Sequence, residues 1–263
     1  MNGKPEIDTS VPHSARIWNY LLGGKDNYPV DRRAGDQVIQ TFPGMADMTR
    51  HSRYMLTRVV RYLAGEAGIR QFLDIGTGLP TMDNTHEVAQ RLAPESRIVY
   101  VDNDPLVLLH AKALLTSAPG GATAYIEADV RDPDAILAEA AETLDFSRPV
   151  GLMLMGILGL VPDDDEARSI VKRLMEPLPS GSYLALYDGT DTVQSYVDAI
   201  RHHNANSGAN PYTPRSHERI ARYFDGLELL DPGVVTVTQW RPEPSPWGTP
   251  PEVACAGAVA RKP

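Results

Sequence analysis

Apolar and polar residues change rhythm once along this chain, near residue 70. Before that point apolar residues recur at helical spacing. Ala15, Ile17, Trp18, Leu21 and Leu22 form a stripe that follows Pro12 and stops at Gly23-Gly24. Lys25 to Pro29 reads as a polar turn, and a short helix is predicted over Asp31–Thr41, closed by Pro43. A longer helix is predicted over Asp47–Ala64, with Met48, Met55, Leu56, Val59, Tyr62 and Leu63 on one face. Its other face carries Arg50, Arg53, Arg58 and Arg61.

From residue 71 the pattern alternates. Short apolar runs near 71–75, 97–101, 123–127, 149–155 and 182–187 read as strands, and helical patterns fall near 84–93, 105–117, 132–144 and 163–176. Such alternation predicts an α/β fold with a mainly parallel sheet and helices on both faces. Ligands of such sheets sit at the carboxyl ends of the strands. Further on come a helix to about His203, the irregular stretch Asn204 to Pro211, and a helix over about Pro214–Tyr223. Two apolar runs (Leu227–Leu230 and Val234–Trp240), a proline-rich loop from Arg241 to Pro251 and an alternating strand over Glu252–Arg261 complete the chain. The expected division is a helical N-terminal cap over 1–68 and a ligand-binding domain over 69–263.

The first strand ends in Asp74-Ile75-Gly76-Thr77-Gly78-Leu79-Pro80. Glycine at 76 and 78 lets the chain bend sharply and leaves no Cβ between backbone and ligand. Asn84-Thr85-His86-Glu87 matches a capping box that opens the next helix. The second strand ends in Asp102-Asn103-Asp104, placing an acid where ribose hydroxyls of an adenosine-type ligand would be held. A dinucleotide site wants a third glycine, but Pro80-Thr81 stands there, and the helix cap lies further on. An acid before the glycines suits a cationic ligand better than a phosphate, so the turn reads as a site for S-adenosylmethionine. Asp129 and Val130, after the third strand, are placed to meet the adenine; alternatively Asp129 or Asp132 caps the following helix. The fourth strand leads through Gly156 to Pro162, which should pass beneath the cofactor.

Composition bounds the rest. With 263 residues, 42% hydrophobic and 22% charged, the chain can bury a full core. A formal charge of −9 argues against nucleic-acid and membrane-surface partners. That charge is uneven: residues 1–70 hold 10 Lys and Arg against 7 Asp and Glu, the remainder 15 against 27. The basic excess reads either as solvated helix faces or as a basic cap over an acidic cofactor site. One cysteine, a polar start and no long apolar run lead us to expect a soluble, cytoplasmic protein.

The stretches Tyr20–Asn27, Phe72–Thr81, Val99–Pro105 and Pro177–Tyr183 resemble the class I S-adenosylmethionine-dependent methyltransferases, and more closely an actinobacterial subfamily of uncharacterised methyltransferases. The resemblance covers nearly the whole chain. It implies a Rossmann-like seven-stranded sheet of order 3-2-1-4-5-7-6, strand seven antiparallel, with the loop carrying Trp247 on the cofactor side. It also implies that Gly76 and Gly78 approach the methionine moiety, Asp102 the ribose, and Asp129 with Val130 the adenine. The expected cofactor set is Asp74, Gly76, Thr77, Gly78, Asp102, Asn103, Asp129, Val130 and Met155, with Tyr20, Lys25, Asn27 and Tyr28 at the cofactor or substrate rim. Gly159 stands where relatives often carry histidine, so no base is carried over to it.

The expected activity is methyl transfer to a small-molecule acceptor; the alternatives are a non-catalytic S-adenosylmethionine sensor and, third, a nicotinamide-dependent oxidoreductase. A general base is optional in methyl transfer, since positioning supplies much of the acceleration. Tyr20, Asp26, Tyr28, His51 and Asp188 are candidates, each with a plain packing or solvation alternative. No metal is expected: His202 and His203 point about 100° apart on a helix, with no carboxylate at i+4 spacing. The run Asp163 to Glu166 reads as first-turn charge on a helix.

Overall fold

The computed structural model describes residues 7–81, 83–114, 117–244, 248 and 251–263. The amphipathic segments before residue 70 form α1 (Ser14–Leu21), α2 (Pro29–Thr41) and α3 (Met45–Gly65). The alternating region supplies β1 (Gln71–Ile75), α4 (Thr85–Leu92), β2 (Arg97–Asp102), α5 (Pro105–Leu114), β3 (Ala122–Glu127), α6 (Pro133–Ala140), β4 (Gly151–Met155), α7 (Asp164–Met175) and β5 (Tyr183–Gly189). There follow α8 (Gln194–Asn206), α9 (His217–Ala221), β6 (Glu228–Leu229), β7 (Val235–Thr236) and β8 (Cys255–Arg261).

The sheet runs β3-β2-β1-β4-β5-β8-β6, with β7 also paired to β8. β1 to β5 are parallel neighbours and β8 is antiparallel to β5. The expected strand order therefore holds, with β8 as its antiparallel member and β7 as one strand more. Register is set by burial on both faces, as in a doubly covered sheet. Phe72, Ile98, Tyr100, Met153, Ala185 and Tyr187 face one side and share a core with α1, α2, α3 and α8. Leu73, Val99, Leu152, Leu184 and their neighbours face the other, against α6, α7 and α9.

The run Val234–Trp240 forms a strand only over Val235–Thr236 and then turns. Trp240 is fully buried there. The Arg58 guanidinium donates to the Val237 and Trp240 carbonyls, at 2.5 and 2.9 Å, replacing ladder partners. Trp247 lies outside the described residues.

The polar turn after α1 is a lock built on Asn19, which is buried. Its Oδ1 accepts from the Asp26 amide at 3.1 Å and from Asn27 Nδ2 at 2.9 Å. Gly24 leaves the room: a Cβ there would collide with the Asn19 side chain. Gly35 does the same between helices, since a Cβ would lie 2.7 Å from the Tyr20 ring.

A cavity over the carboxyl edge

A cavity opens where β1 to β5 end, roofed by α1, α3 and α8. Its mouth is open to solvent, and its wall combines the strand-end turns with side chains of the helices above.

The turn after β1 is held from below. The Gly76 and Thr77 amides donate to the Val101 carbonyl at 2.8 and 3.3 Å. Gly76 has φ +75°, and a Cβ on it would meet the Ile157 side chain at 2.7 Å. Gly78 also has positive φ, +64°, but a Cβ on it would enter open space. Its amide donates to Asp102 Oδ2 at 2.8 Å, while the Asp104 amide donates to Oδ1 at 3.0 Å. Burial pushes the Asp102 carboxyl above its usual range, and these two amides oppose the shift.

Asp74 is buried and accepts from Thr85 Oγ1 at 2.6 Å. Burial pushes its pKa up to about 6, against the pull of that hydroxyl and of Arg53. The capping box forms as the sequence predicts, with Glu87 Oε2 accepting from the Asn84 amide at 2.8 Å. Beyond β3, Asp132 caps α6 by accepting from the Ala135 amide at 3.2 Å, which leaves Asp129 to the cavity wall. Asp129 accepts from the Arg131 amide at 2.9 Å and from Asn103 Nδ2 at 3.3 Å.

Asp74, Gly76, Thr77, Gly78, Asp102, Asn103, Asp129, Val130 and Met155 all line this one cavity. Tyr20, Lys25, Asn27 and Tyr28 do not. The Tyr20 hydroxyl instead donates to Asp36 at 2.5 Å, tying α1 to α2. Lys25 is exposed, Asn27 belongs to the Asn19 lock, and Tyr28 packs behind the turn with Ala15, Leu79 and Leu106. The cap reaches the cavity through the other side of α1, by Ile17, Trp18 and Leu21.

Of the other candidates, Asp26 lies 3.8 Å from His110 Nε2 and His51 stacks edge-on with Tyr54; neither lines the cavity. Asp188 is fully buried under the wall, with its pKa pushed up to about 6 by burial. Its Oδ1 accepts from the Tyr212 hydroxyl at 2.7 Å and from the Gly159 amide at 3.1 Å. The Tyr212 ring fills the space a side chain at Gly159 would take. Arg215, also fully buried, donates to the Leu158 carbonyl at 2.9 Å and to Asp164 at 2.7 Å, fixing the segment that follows β4. Gly156, Ile157 and Leu160 of that segment do pass along the cavity.

Three features escaped sequence reasoning. Arg53 is the member of the basic α3 face that lines the cavity; Arg58 caps backbone carbonyls, and Arg50 and Arg61 pair with Asp47 and Glu243. Its neighbours in sequence give no sign of the difference. Arg16 is buried between Asp104, at 3.3 Å, and Asp31, at 3.9 Å, joining the cap to the end of β2. Tyr212 comes from a stretch without periodicity, and only its tie to Asp188 marks it.

A mainly parallel sheet of this order, with a glycine turn after β1 and an acid closing β2, is the Rossmann-like layout of the S-adenosylmethionine-dependent methyltransferases. The chain belongs to the S-adenosyl methyltransferase family, whose model matches residues 1–263. It is similar to a DUF574 family protein from Streptomyces avermitilis, at 49% identity and TM-score 0.93, over 98% of this chain and 100% of that one. A candidate methyltransferase from Thermobifida fusca matches at 42% identity and TM-score 0.89, over 98% of this chain and 97% of the other. The N-methyltransferase NodS of Bradyrhizobium japonicum, solved with S-adenosylhomocysteine, shares the fold at 14% identity and TM-score 0.51, over 94% of this chain and 99% of that one. None of the curated proteins compared with the chain matches it. Among the described residues no helix is long and apolar enough to cross a membrane.

Proposed function

We propose that this methyltransferase acts on a small-molecule acceptor, bound beside the cofactor in the cavity over the carboxyl edge. The observation that carries this reading is the shape of the site: one cavity joins the glycine turn and Asp102 to a chamber under α1, α3 and α8. A roofed chamber admits a small molecule, whereas a polymer substrate needs an open face, and the acidic chain repels nucleic acid.

The residues present fit the cofactor. The space beside Gly78 that a Cβ would fill is open. Asp102 has each oxygen on one amide, and an ionised carboxylate has about four lone-pair sites, so two remain for ribose hydroxyls. Asp129 and the Val130 amide would hold the adenine. Asp74 and Arg53 would take the ammonium and carboxylate of the methionine end, an arrangement of opposite charges that a pyrophosphate would not match. Bound there, S-adenosylmethionine supplies a methyl group activated by its sulfonium. What the chain contributes is orientation: Gly156 to Leu160 form the floor and α1 the roof, so that acceptor and cofactor meet with water excluded.

Calorimetric titration with S-adenosylhomocysteine, followed by a screen of small hydroxyl and amine compounds for S-adenosylhomocysteine release, tests this. Micromolar cofactor binding with release on at least one small molecule is expected. Release only with a protein or nucleic-acid acceptor would overturn the reading.

A further inference from the structure

The two halves of the cavity differ in charge. Every Asp and Arg lining it among the described residues gathers where β1, β2 and β3 end: Asp74, Asp102, Asp129 and Arg131 lie in or just after those strands, and Arg53 reaches from α3 to the Asp83 carbonyl and Asn84 Oδ1 beside the β1 turn. The other half is framed by α1, α2, α3 and α8. Of these, α2 is densely charged, with Asp31, Arg32, Arg33 and Asp36. Yet α2 shows the cavity only Val38, and α1 and α8 show it chiefly Ile17, Leu21, Tyr196 and Ile200.

The polar groups in that half are neutral or already engaged. His203 is buried, and burial lowers its pKa, holding the imidazole uncharged near pH 7. The Tyr212 hydroxyl donates to Asp188 and accepts from the Gly189 amide at 2.9 Å, so it presents its ring rather than a free donor. Asp188 itself is sealed beneath that ring. A charged acceptor entering here would leave water without meeting a counter-charge, which disfavours its binding. Methionine side chains at 45 and 48 and the rings of Trp18, Tyr187 and Tyr196 complete walls suited to a flat apolar body.

We propose that the acceptor is an uncharged, largely apolar molecule, seated between Leu21, Val38, Met48 and Ile200 with its hydroxyl or aromatic amine directed to the cofactor half. This rests on the methyltransferase reading above, and it excludes carboxylates and ammonium compounds as acceptors.

The test uses one ring in three charge states. 2-Naphthol, 2-naphthoate and 2-naphthylmethylammonium are titrated calorimetrically into the protein saturated with S-adenosylhomocysteine at pH 7. The neutral probe is expected to bind at least ten-fold more tightly than either ion. Ile200→Lys, and Leu22→Lys as a half-buried alternative should the first variant unfold, place a cation in the chamber and are expected to reverse the preference toward naphthoate. Failure of S-adenosylhomocysteine itself to bind would strike the methyltransferase reading. Cofactor binding without preference for the neutral probe, including no binding of any of the three, would overturn this proposal alone.

Discussion

The Asp102 carboxylate accepts the Gly78 amide at 2.8 Å, so the acid that closes β2 shapes the turn that follows β1. The same side chain is assigned the ribose, which gives it two roles on one carboxyl group. Asp102→Ala removes charge-assisted hydrogen bonding to the ribose, a loss of roughly 1.5–3 kcal/mol in all. Affinity for S-adenosylhomocysteine is expected to fall by ~10- to 150-fold in a protein that still melts cooperatively. Calorimetry decides this, and an unchanged affinity in the folded variant would remove Asp102 from the site.

The two glycines of the turn answer to different constraints. Gly76→Ala would force φ +75° on an alanine and drive its Cβ into Ile157, costing roughly 2–5 kcal/mol of stability. Gly78→Ala meets only the φ +64° strain, about 1–2 kcal/mol, because its Cβ points into open space. The first variant should lose stability in urea unfolding; the second should melt a few degrees lower but lose cofactor binding. Normal binding by Gly78→Ala would show that the cofactor stays clear of this turn.

With Asp74 holding the cofactor's ammonium, as proposed above, binding is expected to depend on pH. A cationic partner needs the ionised carboxylate, and in the free protein burial holds the pKa up to about 6. Affinity for S-adenosylhomocysteine should therefore rise from pH 5 to about pH 6.5 and level off above it. Folding carries the opposite sign. The folded protein holds this proton from the ordinary 3.8 up to about 6, so Asp74's contribution to stability is greatest below that window and declines as pH rises through it. Asp74→Asn should flatten both curves, and Thr85→Val, which removes the donor to the ionised form, should move the binding curve to higher pH.

Arg16 is the buried link between cap and sheet. Deleting one partner of such a pair leaves a charge without water, at about 3–5 kcal/mol. Arg16→Ala should lose that much in urea unfolding, whereas Arg61→Ala, whose pair with Glu243 is exposed, should lose about 0–1 kcal/mol. Equal effects would mean that Arg16 is not what fastens α1.

Much of this was legible in the sequence because it is local. Strands β1 to β5 and the helices between them follow from periodicity, and Asn84 and Glu87 announce their cap three residues apart. The run Val234–Trp240 is less legible, since apolar composition reports burial and not backbone direction. The turn there depends on Arg58, some 180 positions earlier in the chain. That Asp74, Gly76, Gly78 and Asp102 would line one cavity was legible for a related reason: glycines and acids at strand ends are dictated by single turns. Its roof was not. Whether Tyr20 or Trp18 faces a ligand depends on how α1 rolls against α2, and Gly35 and Arg16 set that roll from a distance.

Gly159 and Tyr212 compete for one volume, and this bears on how the site can diverge among descendants. A side chain cannot be gained at 159 while the ring remains, because the ring is pinned by Asp188 and the Gly189 amide. The two positions are expected to change as a pair, with any single exchange passing through a disfavoured intermediate. A histidine at 159 would have to arrive together with a smaller residue at 212, and selectivity for the acceptor would shift in one jump instead of drifting.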